Sequence, residues 1–285
     1  MSFLDKIKSC NRDIPPGFVP FTIGSTPFGC IAPERVDLLR RFPKAFAVGQ
    51  GAVAMRDDLA TAPQRSAAMA AIADDLAASG FARTTGELYA IKNAWNDPDA
   101  MRMDRGFVAA FGARAYGVHV NGFVHTPQGL ALWIGTRAAD REVEPGKRDN
   151  VVAGGQPAGL SLIENVIKEC DEEAGFPAEL ARTAKFAGHV SYRFAGTKGV
   201  RDDVLFCYDI ELPADVVPQN RDGEIQSFEL IAAHDVLAMV RDGDDFKFNV
   251  PLVIIDFGIR HGLITPETEP EYAQIVAGLR RAGPN

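Results

Sequence analysis

The hydrophobic pattern changes its period near residue 115. Upstream, residues 33–42 (PERVDLLRRF) read as a short helix opened by Pro33 and ended at Pro43. Residues 63–79 (PQRSAAMAAIADDLAAS) repeat Ala, Met, Ile and Leu at helical spacing up to Gly80, a natural C-cap. Between residues 14 and 33 prolines and glycines crowd an extended, turn-rich start. GELYAIKNAW, residues 86–95, predicts a strand, and residues 98–111 predict a helix. From residue 115, AYGVHVNGFVH alternates apolar and polar positions, TPQG supplies a turn and LALWIGTRA returns, which predicts a hairpin. A charged loop (140–150), a short strand, a glycine-rich turn and one strong helix follow. Further strands are expected near 185–194, 203–212 and 226–232, and helices near 234–241, 250–261 and 270–281. The elements are intermixed without a regular βαβ rhythm, which predicts an α+β protein. The change of texture places a boundary near Arg114, between an N-terminal domain (1–114) and a second domain (115–285).

Composition narrows the class. The 285 residues are 46% hydrophobic and 24% charged, ordinary for a globular chain with room for a sizeable core. With 30 basic against 38 acidic residues the net charge is -8, which argues against a broad grip on nucleic acid. The longest apolar run, around residues 250–257, is strand-sized, so no membrane association is expected. The start, MSFLDKIKSCNRDIPPG, places charges where a signal peptide carries its apolar core. Cys10, Cys30, Cys170 and Cys207 are scattered, with no CxxC pair, so neither a disulfide framework nor a zinc ribbon is suggested. These features lead to the expectation of a soluble, cytoplasmic protein.

The segment that carries chemistry is GGQPAGLSLIENVIKECDEEAGF, residues 154–176. Ser161 and Glu164 form a capping box, so a helix should start near Leu162; Gly175 is its natural C-cap and Pro177 stops it. Ile163, Val166, Ile167, Cys170 and Ala174 make an apolar stripe, with Cys170 read as a small apolar residue. Glu169, Glu172 and Glu173 share roughly the opposite side. Like charges at i, i+4 cost roughly 0.2–0.5 kcal/mol per pair. Anions in the last turn oppose the helix dipole by about 0.3–1 kcal/mol each. A solvated acidic face is thus a poor explanation, and a bound cation a better one; hard oxygen ligands select Mg²⁺ or Mn²⁺.

This segment resembles the Nudix box: Gly, five residues, Glu, seven residues, Arg-Glu, apolar, any, Glu-Glu, any, Gly, apolar. Gly154, Glu169, Cys170, Glu172, Glu173, Gly175 and Phe176 match, while Leu160 stands at the first glutamate and Lys168 at the arginine. In the family those two positions brace the loop and the glutamates. Losing both leaves neither charge unpaired, and Lys168 can pair with Glu164 or Glu172. DNVVAGGQPAGLS, GHVSYR, DVLFCYDIELP, DGEIQSFEL and LVIIDFGIRHG extend the likeness to the thiamine-pyrophosphokinase-associated Nudix branch, whose members carry their own N-terminal domain. The resemblance implies a Nudix α/β/α sandwich with a mixed sheet, plus a smaller α+β N-terminal domain.

It also implies roles. Glu169 and Glu173 are expected as direct metal ligands, Glu172 as a ligand directly or through water, and the carbonyl of Ala153 as a further one. Lys168 belongs with this catalytic set, and Glu224 in the DGEI loop supplies a further ligand or a base, unless it is a plain turn acid. Gly154 and Gly155 let the backbone approach the substrate, and Arg137, Lys147 or Arg148 are candidates for phosphate oxygens. Trp133, Tyr192, Phe206 and Tyr208 alternate on strands and read as core; His189 and His261 receive no role. The expected activity is Mg²⁺-dependent hydrolysis of an organic diphosphate, the branch pointing to thiamine diphosphate or its oxidised analogues. The alternatives are a general pyrophosphatase acting on ADP-ribose, dinucleotides or CoA, and a non-catalytic Nudix-fold binding protein. The expected partner is a small-molecule diphosphate, with a homodimer admitted.

Overall fold

The computed structural model describes residues 1–280. The N-terminal part contains α1 (Phe3–Cys10), β1 (Val19–Ile23), β2 (Thr26–Ile31), α2 (Pro33–Leu39), β3 (Phe46–Val48), β4 (Val53–Met55), α3 (Ala62–Ala78), β5 (Leu88–Ile91), β6 (Met101–Asp104) and α4 (Arg105–Val108). The segment expected to be merely extended is a hairpin, β1–β2, in a sheet of order β2-β1-β4-β3, while β5 and β6 pair separately. Phe21, Phe46, Phe81, Phe107 and Phe111 fill the core beneath, with ring centroids 4.8–6.4 Å apart.

The helix expected over residues 98–111 is instead β6 followed by the single turn α4. Met101 and Met103 are buried and Arg102 is exposed, an alternation of period two that suits a strand. Asp104 then stops the strand by capping α4, its side chain accepting from the Gly106 N–H at 2.8 Å.

The second part contains β7 (Arg114–Thr126), β8 (Gly129–Arg137), β9 (Arg148–Asp149), β10 (Val152–Gly155), α5 (Leu162–Ala174), α6 (Ala178–Ala181), β11 (Lys185–Gly196), β12 (Gly199–Glu211), β13 (Ile225–Ala232), α7 (Ala233–Asp242), α8 (Val250–Arg260) and α9 (Tyr272–Gly278). Arg281, the last residue of the final expected helix, lies outside the described residues. The sheet runs β11-β12-β7-β8-β13, with β10 beside β7 and β9 beside β8. β7 and β12 are parallel and the other pairs antiparallel, so the sheet is mixed. Val166, Cys170 and Ala174 of α5 share a core with Val118, Val120 and Ile210 on one face. Val253, Ile254 and Phe257 of α8 share another with Phe123, Val190 and Cys207 on the opposite face. This is an α/β/α sandwich. The apolar run at residues 250–257 is a helix buried on every side, and no helix among the described residues is long and apolar enough to cross a membrane.

The first ten residues depart from the expected division. Phe3, Leu4, Ile7 and Cys10 of α1 pack with Ile275 and Leu279 in the α8-side core, so the chain begins on the second part and then crosses to build the first. The apolar spacing of α1 matches a surface that only the completed sandwich offers. The two parts also meet where β5 approaches the segment after β10: the Ala158 N–H donates to the Leu88 carbonyl at 2.8 Å.

Candidate active site

The site is built where α5 lies along β10. Ser161 and Glu164 form the expected capping box, and Gly175 closes the helix in the left-handed conformation at φ +66. Between them Asn165, Glu169 and Glu173, four residues apart, all face β10. The Asn165 side-chain amide donates to the Gly155 carbonyl at 2.8 Å. Glu173 Oε2 accepts from the Ala153 N–H at 2.8 Å. Glu169 packs on Gly154 so closely that a Cβ there would stand 2.2 Å from its carboxylate carbon. Glycine at this position is therefore a requirement of the glutamate.

The register of β10 places a backbone acceptor beside the carboxylates. The Gln156 N–H donates to the Tyr116 carbonyl at 2.9 Å, and the pairs Gly154–Val118 and Val152–Val120 continue that alternation. Ala153, opposite His119, is thus a non-hydrogen-bonded position, and its N–H and C=O both point away from β7. The carbonyl lies on the same edge as the N–H that holds Glu173.

The expected face of three glutamates is divided. Glu169 and Glu173 are buried, at 8% and 4% exposure, while the Glu172 side chain is 44% exposed and takes the Lys168 ammonium at 2.6 Å. The apolar stripe is displaced to match: Ile163 and Ile167 are only partly buried, and Asn165 is fully buried in their stead. A stripe drawn from the helix alone could not register β10, whose Gly154 and free Ala153 N–H accommodate carboxylates where a sheet surface would require apolar side chains.

Burial pushes the Glu169 carboxyl up, an effect that Lys168 offsets. Glu173 is pushed well above the ordinary range by burial, and the Glu169 charge adds to it, against the Ala153 hydrogen bond. Two adjacent buried carboxylates resist ionisation unless a cation joins them. Among the described residues no three His, Cys, Asp or Glu side chains converge to hold an ion unaided. Mg²⁺ commonly takes one or two carboxylates and fills its octahedron with waters and substrate phosphates. Glu169, Glu173 and the Ala153 carbonyl fit that demand. The buried Oδ1 of Asn165, on the same helix face, has no hydrogen-bond partner, as an acceptor awaiting a water would.

The other expected residues separate into those near the glutamates and those elsewhere. Lys168 also reaches Glu169 at 3.2 Å, leaving Glu164 to its cap. Glu224 pairs with Arg141 at 2.6 Å, and its charge acts on Glu173. Arg137 is not a phosphate contact: it is buried, bonded to Asp149 at 2.8 Å and twice to the Val143 carbonyl, and so holds the charged loop in place. Lys147 binds the Asp244 carbonyl and Arg148 pairs with Glu229 at 3.0 Å. Tyr192, Phe206 and Tyr208 are buried, and Trp133 is partly so. His261 pairs with Asp209 at 3.1 Å. Half-burial depresses His189.

Two residues of the N-terminal part reach the site without a sequence signal. The Tyr89 hydroxyl fills the space in front of Gly155, where a Cβ would stand 1.5 Å away, and the Arg105 guanidinium carbon lies 3.6 Å from the same point. Alternation along ELYAI marks Tyr89 as one-sided, but nothing in it names the partner.

A family profile described as "Domain of unknown function (DUF4743)" matches residues 2–115. Nudix hydrolase 24, chloroplastic, of Arabidopsis thaliana is 41% identical over 283 residues, covering 98% of this chain and 77% of that protein. Nudix hydrolase 20, chloroplastic, of the same plant is 38% identical over 278 residues, covering 93% and 74%. The Nudix domain of Shewanella oneidensis NrtR, solved with ADP ribose, superposes with a TM-score of 0.41 at 18% identity, covering 53% of this chain and 90% of that one. The chloroplastic names of both plant relatives overturn the expectation of a cytoplasmic protein. Net charge and apolar content are common to proteins of many compartments and had no power to choose among them.

Proposed function

The chain belongs to the Nudix hydrolase family, and from that premise we propose that it cleaves thiamine diphosphate or its oxidised analogues to the monophosphate and phosphate. The coarser statement is independent of that choice: the protein is a Nudix-type diphosphate hydrolase. Glu169, Glu173 and the Ala153 carbonyl are the groups that would hold Mg²⁺ or Mn²⁺. The ion's contribution is to neutralise the diphosphate and to acidify the attacking water. Lys168 orients Glu169 and Glu172 by bridging them. Glu172, half-exposed at the rim, and Glu224, held by Arg141, are the carboxylates we propose as acceptors of the water's proton. Gly154 and Gly155 let Glu169 and the Tyr89 hydroxyl lie directly against the backbone of β10.

The observation that carries the thiamine-like reading is a cleft between the two parts, beside Gly159 and Leu160. The Lys92 ammonium lies over the Trp95 ring at 4.1 Å and is also within reach of Tyr116, so the cleft's aromatic wall already holds a cation. Trp95 meets Tyr116 and Phe206 edge-on at 5.3 and 5.0 Å, which stiffens the wall, and Asp99 supplies a carboxylate. A neutral heteroaromatic ring suits these stacking surfaces, and a cationic one would take the place of the Lys92 ammonium over Trp95. We assign residues 1–114, apart from α1 which packs on the second part, to an accessory unit that builds this wall, and 115–285 to the hydrolase unit. The test is Mg²⁺-dependent phosphate release from oxidised thiamine diphosphate, thiamine diphosphate, ADP-ribose and NADH. Preference for either thiamine compound supports the reading; preference for ADP-ribose or NADH selects the general pyrophosphatase. Inactivity on all four, with the ligands still bound, selects a binding protein.

A further inference from the structure

We infer that Arg105, supplied by the N-terminal part, binds the diphosphate of the substrate beside the glutamates, so that the active site is complete only with that part in place. The inference rests on the reading of the chain as a diphosphate hydrolase and adds a residue outside the box to it. Arg105 opens α4 and its backbone is held from two sides. Its N–H donates to the Glu87 carbonyl at 2.8 Å, and the preceding Asp104 accepts from the Thr85, Gly86 and Gly106 N–H groups. The side chain then runs over the Tyr89 ring, with the guanidinium carbon 5.7 Å from its centroid, and ends beside Gly155. Gly155 follows Gly154 on β10 and faces the other way, so Arg105 and Glu169 flank the strand from opposite faces and meet across its free edge, where the Ala153 N–H and carbonyl point.

The cations around the site differ in how they are engaged. Lys168 bridges Glu169 and Glu172, Arg137 is buried on Asp149 and Val143, and Arg141 is paired with Glu224. Arg105 offers five N–H donors and makes one side-chain hydrogen bond among the described residues, to Glu87 at 2.9 Å, with half of its side chain exposed. A diphosphate approaching Glu169, Glu172, Glu173 and Glu224 needs positive charge on the side away from the metal-binding carboxylates. A guanidinium meets two phosphate oxygens through a parallel pair of N–H donors fixed in one plane, a geometry that a lysine does not hold. Glu87 keeps that guanidinium in place before substrate arrives and competes with the phosphate for it.

The experiment uses the full chain in three variants, Arg105→Gln, Arg105→Lys and Glu87→Gln. Two quantities are read: the Mg²⁺-dependent KM and kcat on the best substrate of the panel, and calorimetric binding of methylenediphosphonate, which is not hydrolysed. Arg105→Gln is expected to raise KM and the Kd for methylenediphosphonate at least tenfold. Its kcat should stay within threefold of wild type and its melting temperature should be unchanged. Arg105→Lys should recover part of the loss. Glu87→Gln, which frees the guanidinium, should lower both constants or leave them unchanged. Values within twofold of wild type for Arg105→Gln, or a tenfold rise for Glu87→Gln, overturn the inference while the hydrolase reading stands. A wild-type protein that neither hydrolyses the panel nor binds methylenediphosphonate overturns both.

Discussion

Asn165 and Gln156 clasp each other across the turn between β10 and α5: the Asn165 amide reaches Gln156 Oε1 at 3.1 Å while also holding the Gly155 carbonyl. Gln156 in turn donates to the Leu160 carbonyl at 2.8 Å. Leu160 and Lys168 occupy the positions where the family carries the glutamate and arginine that brace this loop. Here two neutral amides do the bracing. A neutral clasp avoids the desolvation of a buried ion pair, and this explains how the chain tolerates the loss of both charges.

Asn165→Leu should therefore loosen the loop. The Gly155 carbonyl and the buried Gln156 Oε1 would lose their donor, which costs about 1–3 kcal/mol. The expected outcome is a melting temperature lower by several degrees, with activity reduced at least tenfold. Restoring the family arginine alone, Lys168→Arg, should change kcat by less than tenfold, because Leu160 offers it no partner; a larger gain would show the lysine to be a defect.

Glu169→Gln and Glu173→Gln should each abolish Mg²⁺-dependent phosphate release, by at least a thousandfold, while the fold is kept or becomes slightly more stable. The gain follows from relieving two adjacent buried carboxylates. Mg²⁺ should raise the melting temperature of the wild type, since it binds the folded state alone, and leave both variants unmoved. Activity within a few-fold of wild type in both would remove these residues from the site.

Gly154→Ala tests the placement of Glu169. The added methyl would collide with the Glu169 carboxylate and with its Cγ, so the whole buried side chain must move. Overpacking of this kind costs about 1–3 kcal/mol. Loss of metal-dependent activity with a modest fall in melting temperature is the expected result, and retained activity would contradict the placement of Glu169.

The opposite face of the sheet gives a pH prediction. His119 is fully buried, bonded through Nδ1 to Asn150 Oδ1 at 2.8 Å, and burial depresses it to about 4. In the unfolded chain the ring takes up a proton near pH 6.5, before the folded protein does. Its contribution is therefore complete above that pH and is lost progressively as pH falls toward 4, by up to roughly 3 kcal/mol. Glu169 and Glu173, raised by burial, give the opposite slope above their ordinary range, so wild type must be compared with His119→Gln. The difference in urea stability between the two proteins should shrink from pH 7 to pH 4.5; a constant difference would refute the assignment.

Much of the hydrolase unit was legible along the chain because its signals are local. The hairpin from residue 114 to 137, the capped helix α5 with its Gly175 stop, and the glutamates at box spacing each depend on neighbours within a few positions. What only the tertiary structure decided depends on surfaces brought together from distant segments. The glutamates divide, Glu169 and Glu173 inward and Glu172 outward, because β10 lays Gly154 and the Ala153 N–H against α5 and no helix can register that strand from its own periodicity. Arg137 turns inward because Asp149 and the Val143 carbonyl await it. Residues 101–104 turn from helix to strand because Met101 and Met103 find a core that propensity alone does not describe. Tyr89 and Arg105 reach Gly155 across more than forty residues of chain, an approach set by the packing of one unit on the other. Local pattern records what a residue does to its own backbone; which side chain meets it from afar is decided when the cores close.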